Sequence, residues 1–106
     1  MPEYPGGYER LYRFIRKKLK YPKTAHRARV QGVVYVHFIV DKMGNTTEVN
    51  VMKNIGGGCG KESKRIIERL KTWKPGRVNG MPVKTPIVLP ITFELKQKRV
   101  FFIGNI

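Results

Sequence analysis

The sequence predicts an α+β fold of two layers: a three-stranded antiparallel sheet in the order 2-1-3, with helices packed on one face. Three observations carry this prediction. Residues 85–95, TPIVLPITFEL, place apolar side chains at Ile87, Leu89, Ile91, Phe93 and Leu95, the period of a half-buried strand. Residues 32–40 and 46–53 alternate in the same way around a glycine-bearing loop, DKMGN, and read as a hairpin. Residues 8–20 instead repeat their apolar side chains at helical spacing.

The elements follow in chain order. PEYPGG is rich in residues that break helix and strand, and reads as an ordered turn. Tyr8, Leu11, Tyr12, Ile15 and Leu19 form one stripe of a first helix, with Arg10, Arg13, Arg16, Lys17 and Lys20 largely elsewhere. Tyr21-Pro22 ends that helix, because the residue before proline is pushed out of the α region. Thr24 is placed to cap a short second helix running through Arg29.

In the first strand, Val34, Val36, Phe38 and Val40 share one face; Val33, Tyr35, His37 and Ile39 share the other. The second strand puts Thr47, Val49 and Val51 on one face. IGGGCG reads as a flexible loop. A helix is expected from about Lys61 to Trp73, its buried stripe being Ile66, Ile67, Leu70 and Trp73, stopped by KPG. Asn79-Gly80 signals a tight turn before the third strand. A helix between strands two and three returns strand three parallel to strand two, so it lies antiparallel beside strand one, at an edge. Residues 1–95 are read as the domain and residues 96–106, KQKRVFFIGNI, as a tail. VFFI is apolar and β-prone, and is expected to pack on the domain or lie along a strand edge, competing there with a ligand.

A chain of 106 residues is one domain, able to hide roughly two-thirds of its unfolded surface. Its charge is unusual: 22 basic residues stand against 7 acidic ones, a net +15 that favours anionic partners. Cys59 is the single cysteine, so no intrachain disulfide is possible. No run of about 18 apolar residues exists to span a membrane, and no apolar segment follows the N-terminus as in a signal peptide. A role outside the cytoplasm would make this chain a piece of a longer protein.

Catalytic and cofactor chemistry finds little support. GGGCGKES matches a phosphate-binding loop only in part: the first required glycine falls on Ile55, and Glu62 stands where Ser or Thr would meet magnesium. His26 and His37 lie apart from each other, and no metal-ligand spacing exists. Cys59 reads as a small residue tolerated in a loop. No carboxylates pair for acid–base work. The expectation is no enzyme, no cofactor and no metal. The basic helix, RLYRFIRKKLK, reads as a core-facing stripe with a solvated back.

Taken in order, EYPGG, LKYP, VQGVVYVHFIVDKMGN, VNVMKNIGGGC, WKPGRVNGMPV and LPITFEL resemble the C-terminal domain of TonB-type energy transducers, over Glu3 to Leu95. The resemblance implies a periplasmic domain of an inner-membrane-anchored protein. Its missing N-terminal membrane helix would work with ExbB and ExbD, and the domain would capture the TonB box of outer-membrane transporters for nutrient uptake. It also implies capture by strand addition on the last strand. The outward backbone groups of Val88, Pro90, Thr92 and Glu94 would then meet the box, with Tyr21 and Pro22 beside it. Lys18, Leu19 and Lys20 precede Tyr21-Pro22 where well-known members place a glutamine, so that side-chain contact does not carry over. Three other readings stand beside this one: the same domain fused to a membrane sensor protein, a homodimer through the same edge, and a basic nucleic-acid-binding domain. The last rests on charge alone, so only weak, sequence-independent binding that falls with salt is expected.

Overall fold

The computed structural model describes residues 1–95. Its elements are α1 (Gly7–Lys18), α2 (Lys23–Arg27), β1 (Gly32–Val40), β2 (Thr46–Lys53), α3 (Cys59–Ile67), β3 (Gly76–Val78), β4 (Met81–Val83) and β5 (Thr85–Phe93). The main sheet has the order β2-β1-β5, with both pairings antiparallel. This is the expected 2-1-3 sheet. β3 and β4 form a separate hairpin around Asn79 and Gly80, whose φ values of 51° and 78° suit the tight turn that Asn-Gly announces. The expectations for residues 96–106 lie outside the described residues.

The core sits between the sheet and the three helices. Val34, Val36, Phe38 and Val40 of β1 and Ile87, Leu89, Ile91 and Phe93 of β5 are all buried on one face. They pack with Leu11 and Ile15 of α1, Ala25 of α2, and Ile66 and Ile67 of α3. Among the described residues no helix covers the opposite face of the sheet, which leaves Tyr35 and Val88 exposed. α1 is favoured locally by Glu9 in its first turn and Arg16, Lys17 and Lys18 in its last, which complement the helix dipole.

Three details depart from the sequence reading. Thr47 does not share a face with Val49 and Val51. A register shift against β1 sets Glu48 (φ 50°) and Val49 opposite the single residue Phe38, a bulge that reverses the alternation before it. Thr46 takes the inner side, its hydroxyl donating to the Ile67 carbonyl. Thr24 does not cap α2. Pro22 occupies the N-cap, where its carbonyl accepts the His26 N–H, and the helix ends at Arg27. Tyr8 belongs to the stripe by spacing but lies half exposed, stacked on Tyr12.

The largest departure concerns α3, which starts earlier and ends earlier than Lys61–Trp73. Three glycines with positive φ, Gly56 to Gly58, lead straight into a helix at Cys59. Beyond Ile67 the chain turns out of the helix, and Lys74 forms an isolated antiparallel bridge with Glu3, with Trp73 held just before it. The Trp73 N–H donates to the Gly44 carbonyl at 2.8 Å, and Lys74 exchanges two backbone hydrogen bonds with Glu3. Trp73 is still buried, edge-on to Tyr4 (5.3 Å between ring centres) and tilted on Phe38 (5.8 Å).

Cys59 is likewise not a loop residue tolerated for its size. It is fully buried as the first residue of α3, and its carbonyl accepts the Ser63 hydroxyl at 2.8 Å. Burial pushes its thiol pKa up, so the thiol stays protonated and sheltered. The thiol should therefore react with a disulfide reagent only after denaturant unfolds the domain. Cys59→Ser should lower stability by about 1–3 kcal/mol, the cost of burying a hydroxyl without its own partner. Fast labelling of the native protein would contradict this placement.

Candidate functional site

The site is built along β5. The β1–β5 register runs unbroken from Gly32↔Phe93 to Val40↔Thr85. In an antiparallel pair, alternate residues direct both backbone groups toward the partner strand and the others direct them away. Pro86 and Pro90 share one parity and have no N–H, so the ladder loses no donor only if that parity faces outward. The Leu95 N–H, of the other parity, reaches the Gln31 side chain at 2.9 Å on the β1 side, in agreement. Val88, Pro90, Thr92 and Glu94 therefore turn their backbones away from β1, with N–H groups at Val88, Thr92 and Glu94. Among the described residues β5 pairs only with β1, and this outward edge carries no strand.

Beside that edge runs a groove of about 510 Å³, walled on one side by Pro90 to Glu94 and on the other by Tyr12, Ile15, Arg16, Leu19 and Tyr21. Its described lining is mainly apolar, with Arg16 and Glu94 carrying its charges. Tyr21 is fixed at its base. Its ring meets Phe93 of β5 edge-on at 5.5 Å, and its hydroxyl donates to the Val30 carbonyl. Burial pushes the Tyr21 phenol pKa up, and the neighbouring Cys59 adds to this while Arg29 opposes it. The phenol thus stays a neutral donor.

A second contact holds the end of α1 where the groove needs it. The Glu62 carboxylate accepts the Lys20 N–H at 2.7 Å and two Arg65 N–H groups at 2.8 and 2.7 Å. Arg65 also reaches the Lys18 carbonyl. The Arg65 hydrogen bonds hold the Glu62 carboxyl below its ordinary range, against the opposing effect of burial. α3 thereby clamps the segment that leads into Tyr21.

Of the residues singled out from the sequence, the structure brings Tyr21, Pro90, Thr92 and Glu94 together around one groove. Val88 lies further along the same edge. Pro22 instead lines a neighbouring cavity of about 590 Å³, with Lys20, Gly57, Gly58 and α3 side chains. The sequence reading missed Arg16 as a groove residue and took Tyr12, Ile15 and Leu19 only as core. Their stripe was visible; that its far side stays open toward β5 was not. Among the described residues, no three His, Cys, Asp or Glu side chains are grouped to hold a metal ion.

The architecture matches a solved one. The solution structure of the Helicobacter pylori TonB C-terminal domain superposes with a TM-score of 0.61, covering 81% of this chain and 78% of that one at 23% identity. In sequence, the chain is 29% identical over 79 residues to protein TonB of Vibrio cholerae, a match that takes in 73% of this chain. It spans only 32% of that relative's length. The family model for the Gram-negative bacterial TonB protein C-terminal region matches residues 17–95, from the end of α1 through β5. That span holds the whole sheet and most of the groove, and the chain belongs to the TonB C-terminal family.

Proposed function

We propose that this chain is the periplasmic binding module of an inner-membrane-anchored TonB-type transducer. It captures the TonB box of an outer-membrane transporter by adding it as a strand to β5, and conveys energy from the proton-motive force for nutrient uptake. The observation that carries this reading is the outward edge of β5, left unpaired among the described residues, lying along a mainly apolar groove. Strand addition takes affinity from main-chain hydrogen bonds and selectivity from pockets for alternate side chains. Here Val88, Thr92 and Glu94 offer the donors. Tyr12, Ile15, Leu19 and Tyr21 offer the pocket, since the inner face of an added strand would lie over them. The module performs no chemistry of its own; its work is to hold under load. An added strand pulled along its length shears several hydrogen bonds together, which suits that task. Coupling to ExbB and ExbD would rest with the parent protein's membrane segment.

The test is a titration of the isotope-labelled domain with a TonB-box peptide. Amide signals of β5 and of Tyr12 to Tyr21 should shift. The amides of Val88, Thr92 and Glu94 should also become protected from hydrogen exchange. Shifts confined to β2, or to the helical face away from the groove, would overturn the reading.

A further inference from the structure

The basic residues are not spread evenly over the fold. Residues 7–29 and 59–71, which build the helical layer, hold fourteen of the 22 Lys and Arg residues but only three of the 7 acids: Glu9, Glu62 and Glu68. β1 and β5 hold no Lys or Arg. Most of that charge is matched locally or spread over open surface. In the cavity beside Pro22, for example, Glu62 and Glu68 stand among the cations. One cleft differs. Between α1 and the segment after α3 lies a depression of about 130 Å³ lined by Tyr4, Arg10, Arg13, Phe14, Lys17 and Lys71. Among the described residues, four cations surround it and no carboxylate lines it. Arg13 has one acidic neighbour, Glu9 at 3.8 Å, with both side chains mostly in solvent. A pair so exposed contributes little. The Lys71 N–H donates to the Tyr4 hydroxyl at 3.2 Å, so the two walls of the cleft are joined.

We propose that this cleft binds the phosphate group of an anionic lipid headgroup and seats the helical layer on a membrane surface. Arg10, Arg13 and Lys17 project from one side of α1 at helical spacing, so with Lys71 they converge on one small volume. A phosphate accepts several N–H donors at once, and guanidinium groups match it in pairs. Its charge relieves the mutual repulsion of the four cations. A lipid fits better than a free ion because the floor is aromatic: Tyr4 and half-buried Phe14 would meet glycerol or acyl carbon. α1 also leaves Tyr8 half exposed, a feature suited to a helix lying at a membrane interface. β5 lies in the other layer, so its edge is not required for this contact.

The test is co-sedimentation with phosphatidylcholine vesicles, with and without phosphatidylglycerol, at physiological salt. Binding should require phosphatidylglycerol. A variant carrying Arg10→Gln, Arg13→Gln, Lys17→Gln and Lys71→Gln should lose about 600-fold in vesicle affinity, each cation near an anionic surface contributing on the order of fivefold. A control of equal net charge, with Lys23→Gln, Arg27→Gln, Lys64→Gln and Arg69→Gln, should lose less than about tenfold. All eight side chains are exposed, so both variants should melt as the parent does. Equal losses in the two variants would overturn the cleft. Ready displacement from vesicles by inorganic phosphate, or tighter binding to an oligonucleotide than to vesicles, would overturn the lipid assignment. TonB-box binding by the cleft variant is a separate measurement and bears only on β5.

Discussion

A Gly44→Ala domain should lose most of its stability, by about 3–5 kcal/mol, the range seen when a buried aromatic anchor is lost. Gly44 ends the turn between β1 and β2 with φ 87°. The turn is already specified: the Asp41 carboxylate accepts the N–H groups of Met43 and Asn45. A methyl group on Gly44 would stand 2.0 Å from the Trp73 carbonyl oxygen, which belongs to backbone and cannot swing aside. The Gly44 carbonyl also receives the Trp73 N–H. Displacing this segment therefore drags Trp73 off Tyr4 and Phe38. The indole N–H finds no acceptor among the described residues, so Trp73 holds the core by area and ring contact rather than by a hydrogen bond. Gly80→Ala separates the two contributions. Gly80 has a similar φ of 78° with nothing within 4 Å of an added methyl, so it should cost only about 1–2 kcal/mol, the penalty of a left-handed residue. Denaturant midpoints measure both. Equal losses would mean that the approach of Gly44 to Trp73 has no energetic weight. A domain stable by only about 5–15 kcal/mol has little to spare against the larger loss.

The same residue shows where sequence reading stops. Ile66, Ile67, Leu70 and Trp73 continue a helical stripe, and nothing local contradicts a helix to the end. The deciding contacts come from Gly44 and Glu3, 29 and 70 or more residues away in sequence, and they hold residues 73–74 out of the helix, with Lys74 bridged to Glu3. Cys59 fails in the opposite direction: three glycines before it read as loop, yet positive φ values let them enter a helix directly. Thr47 was misplaced because a bulge leaves no mark on an alternating pattern. What alternation does determine is β5, where every predicted inward residue from Ile87 to Phe93 is buried. β5 pairs along its whole length with a fully alternating neighbour, so no bulge interrupts it. The outward parity of β5 was thus legible from Pro90 and a period of two. The groove was not, because it depends on how far α1 stands from β5, and that distance is set by Tyr21 on Phe93 and by the Glu62–Arg65 clamp.

Thr92→Pro should leave the domain folded and weaken a TonB-box peptide by about tenfold to a hundredfold. Ile91→Pro, one residue away, should unfold it. Thr92 pairs with Val33, in the parity whose backbone faces out, and its side chain is exposed. Proline there removes a donor that β1 does not use, as Pro90 and Pro86 already do. The preceding residue, Ile91, is extended, which proline favours. A docked strand, however, would lose one ladder bond and keep one carbonyl without a donor, about 1.5–3 kcal/mol in total. Ile91 pairs with Val34 in the opposite parity and is 1% exposed. Proline there removes an inward ladder bond and a core side chain together, at about 3 kcal/mol or more for each. Pro90 then acts as a filter on a working edge: it admits only registers in which the partner asks nothing of position 90, while Val88, Thr92 and Glu94 still donate. Circular dichroism and peptide titration of both variants separate the outcomes. If Thr92→Pro unfolds the domain, or folds and binds the peptide as tightly as the parent, the outward edge of β5 is not where the box docks.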